Sequence, residues 1–338
     1  MSTPPTAPVP PGTPVQQPGT PLQQSGTPLQ SGTPLQSGTP LQQPGTPLRP
    51  GQAFQPSQTP QPGQAPASTR VLPPVVTGHS HVAGALRSEW IKLRSVRSTI
   101  WTLLVTVVLG IGLSILSVLA AKARSSGGGP GGGFVVADPT RRSLSGVIFA
   151  QLAIGVLGVL VMSAEYSSGT IRATFSAIPR RLVVLASKTA VFGLVAIVVS
   201  EVVTFVAYFI GQAIFSSSSL PHTTLGQPGV LRAVVGGGLY LTLLALFALG
   251  IATIIRHTAG SISAFVGLLL IVPLLLNALP TNYQNDISRF LPINIGVNVV
   301  SIAPQANSFS PWVGLIVLAA YALGLLVIGG ALLVRRDA

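Results

Sequence analysis

From residue 99 onward the chain alternates long apolar runs with short polar connections. Runs at about 99–121, 144–164, 191–215, 230–255, 260–279 and 312–334 each reach the roughly 20 residues that carry a helix across a bilayer. The pattern predicts an all-α integral membrane protein with six transmembrane helices. Ahead of the first run, Val82, Leu86, Trp90 and Leu93 recur at spacings of four, four and three, while Arg87, Glu89, Lys92 and Arg94 fall on other faces. That periodicity suits an interfacial helix at headgroup level, with an ordinary extension of the first span as the alternative. Between the second and third runs lies a polar, turn-rich insert over residues 165–188, EYSSGTIRATFSAIPRRLVVLASK. Within it Ile171, Phe175 and Ile178 share one face of a short helix from about Thr170, leaving Arg172, Thr174 and Ser176 elsewhere. Ser168 and Gly169 suit its start, and Pro179 disfavours helical geometry at Ile178, so the helix is expected to stop there. Either the insert is a solvated loop, or it is a helix held across the ends of two spans where a partner can push it.

The first 80 residues follow another pattern. GTPVQQP, GTPLQQS, GTPLQS, GTPLQS, GTPLQQP and GTPLRP succeed one another, and 20 of the 30 prolines lie in this stretch, with Arg49 and Arg70 as its only charged side chains. Too few large apolar groups are present to offset the entropy of ordering such a segment. Residues 1–80 are therefore expected as a disordered, partly polyproline-like tail rich in Pro, Gly and Gln, and residues 82–338 as the membrane domain. A ligand for a proline-binding module or an envelope tether is the functional alternative for the tail.

Charge fixes the expected orientation. The net charge of +13 would suggest nucleic acid in a soluble chain, but 17 of the 19 basic residues lie at or after Arg87, among the spans. Membrane topology accounts for them, and no nucleic-acid partner is expected. Arg87, Lys92, Arg94 and Arg97 precede the first span and hold the N-terminus in the cytoplasm; with six spans the C-terminus joins it. The first apolar run lacks a small-residue cleavage site, so it is read as a span and not as a signal peptide. Arg172, Arg180, Arg181, Lys188, Arg256, Arg335 and Arg336 then share the cytoplasmic side, against Lys122, Arg124, Arg141, Arg142, Arg232 and Arg289 outside. The glycine run GGGPGGG in the first outer loop is followed by no Gly-Lys-Ser/Thr, so it reads as a flexible connection and not as a phosphate cradle.

The insert and its surroundings resemble a known family. The order Glu165, Gly169, Thr170, Ile171, Arg172, then Pro179 and Arg181, then Lys188 resembles the region after the second span in permease subunits of ATP-binding-cassette (ABC) transporters of the six-helix exporter type. SEWIKLRSVRSTIW before the first span and RFLPINIG before the last extend the likeness over roughly residues 82–338. The resemblance implies two six-helix permease subunits per transporter, as a homodimer or heterodimer, in the plasma membrane and among its lipids. It also implies a separate ATPase dimer on the cytoplasmic side, which binds the ATP and Mg. In that family the loop between spans two and three carries a coupling helix, which would put Thr170 to Ile178, Phe175 included, in the ATPase groove. The proline-rich tail departs from the family pattern.

Enzymatic readings find no support. Gly-x-Ser-x-Gly and His-Glu-x-x-His are absent, and only six acidic residues are present, so no catalytic, cofactor or metal site is expected in this chain. Glu201 is the one acidic residue deep within a run. With Thr204, Tyr208 and Gln212 it lies at spacings of three, four and four, on one helical face. That stripe should face protein or water, either as hydrogen bonds between helices or as the lining of a route between subunits. Pro273 and Asn277 point to a kink in the fifth span. Two readings therefore stand beside the ABC permease: an ATP-independent carrier or channel using Glu201, and a non-transporting membrane anchor.

Overall fold

The computed structural model describes residues 78–126, 137–177, 180–218, 220–303 and 305–336. The repeats and nearly all of the expected tail therefore lie outside the described residues. The elements in chain order are α1 (Gly78–Ser95), α2 (Arg97–Ser125), α3 (Pro139–Ser143), α4 (Val147–Ser167), α5 (Thr170–Ala177), α6 (Arg181–Ser216), α7 (Val230–Ile255), α8 (Thr258–Leu276), α9 (Thr281–Ser288), α10 (Pro292–Val299) and α11 (Pro311–Arg336). Among the described residues every regular element is helical, and six helices, α2, α4, α6, α7, α8 and α11, are long and apolar enough to span a membrane.

α7 is the central element. It packs against α4, α6 and α11, and α4 in turn carries α2 and α8. Helices in a bilayer gain no hydrophobic force from facing each other, so close approach depends on small side chains at the contacts. Gly158 of α4 lies against the backbone carbonyl of Ala245 in α7, Gly155 of α4 lies under the ring of Phe265 in α8, and Gly250 of α7 lies against Leu325 of α11. The run Gly236, Gly237 and Gly238 in α7 receives Val299 of α10, Thr204 of α6 and the carboxyl group of Glu201 in turn. Around this centre sit the largest fully buried side chains, among them Tyr208, Tyr240, Phe192, Phe215 and Phe265.

Because the spans alternate in direction, α1 and α5 share one side of the bundle with the start of α6 and the ends of α4, α7 and α11. The opposite side is closed by α3, α9, α10 and the connection before α7. Short helices build that cap from local signals: Asp138 accepts the amide of Arg141 to start α3, and Pro139 and Pro292 occupy opening turns, where a missing amide does no harm. The second carboxylate oxygen of Asp138 accepts the amide of Ile302 at 2.9 Å. Arg232 at the start of α7 donates to the carbonyl of Ser301 at 2.8 Å.

One boundary differs from the expectation, and the helices show details that the spacing did not give. α6 starts at Arg181 and not at residue 191, because Leu182, Val183, Val184 and Leu185 continue the apolar run once Lys188 is neutralised inside the protein. α1 turns its predicted apolar stripe outward: Val82, Leu86 and Trp90 are exposed, while Ala85 and Glu89 are buried against the bundle, which α1 meets along α6. In α8 the ladder widens to a π turn over Gly267–Ile271, just before Pro273, whose ring nitrogen cannot donate, and Asn277 lies just past the helix end. α2 has a second π turn at Val108–Gly112.

A methyl group at position 158 would meet backbone and not a movable side chain. Gly158→Val should therefore lower the stability of detergent-purified protein by about 1–3 kcal/mol, read as aggregation on heating by size-exclusion chromatography. Gly324→Ala on α11, where an added methyl group has no neighbour within 4 Å, should leave that profile unchanged.

Candidate functional site: the coupling segment and its buried charges

The segment between α4 and α6 is built by a tight reversal. α4 ends at Ser167, and Gly169 turns the chain with φ +71°, a left-handed conformation that favours glycine. The Ser168 and Thr170 hydroxyls bond at 2.9 Å across the turn into α5. Ile171 is buried, Phe175 is half-buried, and Gly169, Thr170 and Ala173 are exposed. The Arg181 guanidinium lies over the Phe175 ring, 5.5 Å from its centroid, and donates to the carbonyl of Leu333 at 3.1 Å. Arg256 does the same from α7: it covers the ring of Tyr166 at 5.4 Å and donates to the carbonyl of Leu332 at 3.2 Å. Two cations thus bond the last carbonyls of α11, where the helix dipole favours them, and connect α11 to the segment. Ile178, Pro179 and the side chain of Arg172 lie outside the described residues.

Glu165 and Lys188, at the two ends of the segment, point inward. The Lys188 ammonium donates to Glu89 at 2.6 Å and to Glu165 at 2.9 Å, and Lys92 donates to the same two carboxylates, each at 2.8 Å. Two lysines and two glutamates form a closed, neutral ring that joins α1, α4 and α6. The Glu89 and Lys188 side chains are each 4% exposed, Glu165 is 10% and Lys92 is 37%. Burial pulls the pKa of the Lys92 ammonium down, but hydrogen bonds and charge from Glu165 and Glu89 outweigh it and hold the pKa above the usual lysine value. Glu165 and Lys188 therefore brace the segment from within, and Gly169, Thr170 and Ala173 form part of its outer surface.

The ring was only half legible. Glu165 and Lys188 stand out in the sequence, whereas Glu89 and Lys92 read as the wet face of an amphipathic helix. A lysine in an apolar helix start demands a carboxylate partner. With six acidic residues in the chain, the choice is short.

The polar stripe of α6 divides into two parts. Thr204, Tyr208 and Gln212 are buried and bonded within the protein. Tyr208 donates to the carbonyl of Thr223 at 2.8 Å, and Gln212 donates to Ser143 Oγ at 2.9 Å and accepts the Thr223 amide at 2.7 Å. Thr204 returns its hydroxyl to the carbonyls of Ser200 and Glu201. These bonds tie α6 to α3 and to the connection before α7. Glu201 is half-buried beside Gly238, and its Oε2 is buried with no hydrogen-bond partner. Among the described residues no group of His, Cys, Asp or Glu is arranged to hold a metal ion.

Six spans, a cap at one side and a buried ionic ring under a short helix at the other define a multi-pass membrane protein. Residues 85–273 match the sequence family described as ABC-2 family transporter protein, and the chain belongs to that family. The proteins of this family are membrane subunits of ABC transporters, which work with a separate ATPase subunit. The match runs from α1 into α8 and includes the ring, α5 and the stripe. No curated protein sequence matches the chain.

Lys188→Met would leave Glu89 and Glu165 to share Lys92, and should lower stability by roughly 3 kcal/mol. Adding Glu89→Gln leaves Lys92 with Glu165 as one neutral pair and should restore part of that loss. Thermal unfolding of the single and double variants in detergent measures both. A double variant less stable than Lys188→Met alone would refute the ring.

Proposed function

We propose that this chain is the permease subunit of an ABC exporter. It switches between inward-open and outward-open arrangements as a partner ATPase, holding ATP and Mg, closes beneath it. The observation that carries this reading is α5, a short helix with Ile171 buried and Phe175 half-buried against the bundle while Thr170 and Ala173 are exposed. Three attachments would transmit a push on α5 to the spans: Phe175 through Arg181 to α11, Tyr166 through Arg256 to α7, and the turn at Gly169 through Glu165 to the ionic ring. The α5 side is then the cytoplasmic side, with both termini there, and the transporter sits in the plasma membrane. A second permease subunit, identical or related, completes the route, as the resemblance implies. The exporter direction rests on the resemblance alone.

The test is the double variant Phe175→Ala with Arg172→Glu. It removes an apolar anchor and reverses a charge on α5, and should weaken ATPase capture by at least about tenfold, within the range of interface hot spots. Insertion in the membrane should be normal, while co-purification of the ATPase and ATP-driven flux both fall. Unchanged coupling in this variant would remove α5 from the interface.

The second reading is an ion-coupled carrier, favoured by the partnerless Glu201 Oε2. Glu201→Gln keeps the shape of the side chain and removes its charge. ATP-driven flux should persist in this variant. Loss of flux with assembly and ATP hydrolysis intact would favour the carrier.

A further inference from the structure

On the α5 side, α6 and α11 diverge and leave an open apolar groove of about 770 Å³. Its walls include Leu182, Ala186 and Ala190 on α6 and Leu323, Val327 and Ala331 on α11. Leu323 and Val327 are 61% and 70% exposed, so the groove faces away from the bundle, toward hydrocarbon. Small residues keep it open. Side chains as large as leucine at 186, 190 or 331 would fill it. Its end is basic: Arg335 lines the groove, Arg180 is exposed one residue before α6, and Arg181 reaches the Leu333 carbonyl from the facing helix. Among the described residues no carboxylate lines the groove.

An apolar slot with a guanidinium at the headgroup end matches one kind of molecule, an acyl chain attached to an anionic head. A helix from a second copy would fit the apolar part but would have to bring a carboxylate to Arg335. The described carboxylates are committed elsewhere: Glu89 and Glu165 to the ring, Glu201 beside Gly238, and Asp138 and Asp286 to the opposite side of the bundle. We infer that the α6–α11 groove is a binding site for one anionic phospholipid, with an acyl chain along Ala186, Ala190 and Ala331 and its phosphate at Arg335. Placing that lipid in the inner leaflet rests on the orientation proposed above; the site itself does not. Bound there, the lipid completes the packing of α11 against α6 beside the carbonyls that Arg181 and Arg256 hold.

The experiment uses the full chain in nanodiscs of phosphatidylglycerol and phosphatidylcholine in equal parts, extracted into detergent and analysed by native mass spectrometry without nucleotide or ATPase. The wild-type chain should retain one phosphatidylglycerol in preference to phosphatidylcholine. Arg335→Gln should reduce that preference about fivefold, the worth of one basic side chain beside an anionic head. Ala186→Phe and Ala331→Phe, both at exposed positions, should abolish retention of either lipid while the protein stays monodisperse. No retained lipid in the wild type, equal retention of the two lipids, or retention untouched by the Phe variants would overturn the site. So would an Ala331→Cys crosslink between two copies of the chain, which would assign the groove to protein. Because ATP takes no part, these outcomes are independent of whether α5 docks an ATPase.

Discussion

An ammonium group inside a helical bundle has to be neutralised by the fold, because no water is available to do it. At Lys188 that requirement reaches across 99 positions of sequence to Glu89 and across 23 to Glu165, and three separate elements become one body. The arrangement depends on completeness. With all four members the ring is neutral, and removal of Lys188 leaves two buried carboxylates to share the one partly exposed ammonium of Lys92. α1 is held by this ring and by its contact along α6, with Ala85 and Leu93 packed inward while Val82, Leu86 and Trp90 face outward. The start of α6, and hence the approach of α5, follows from the same four groups.

The second organising contact is steric. Backbone meets backbone where Gly158 faces Ala245, and the glycine run of α7 allows α6 and α10 to approach together. At Gly158 the neighbouring atoms are backbone, so no side chain there can rearrange to admit a larger residue. α4 and α7 are the most buried of the spans, with α2, α8 and α11 arranged around them and more exposed. The α6–α11 groove lies outside those two spans, where Ala186, Ala190 and Ala331 are exposed.

The spans were legible because apolar length is a sufficient signal in a chain that must satisfy its backbone inside hydrocarbon. α5 was legible from Ile171, Phe175 and the flanking Gly169. The start of α6 was not, because Lys188 reads as an interruption until its partners are known, and those partners are set by tertiary contact. For the same reason Glu89 passed for a solvated residue: helical periodicity gives the faces of α1 but not which face meets protein when the outside is lipid. Helical spacing puts the four residues of the α6 stripe on one face. Its division into the bonded side chains of Thr204, Tyr208 and Gln212 and a Glu201 whose Oε2 has no hydrogen-bond partner depended on α3 and Thr223, which no local pattern joins to it. The π turns in α2 and α8 left no signal beyond the Pro273 that follows the second.

α7 and α8 are joined by only two residues, Arg256 and His257. Arg256 is held in a left-handed conformation with its side chain committed to α11, and the ring of His257 accepts the amide of Gly260. So short a joint fixes the depth of α8 relative to the core: the helix has no slack with which to slide along the membrane normal. What remains is rotation about one end. A helix of 19 residues is about 28 Å long, so a swing of about 10° at the joint carries its far tip about 5 Å sideways. α8 is geometrically a lever, with its fulcrum on the side of the ionic ring and its travel on the side of the cap.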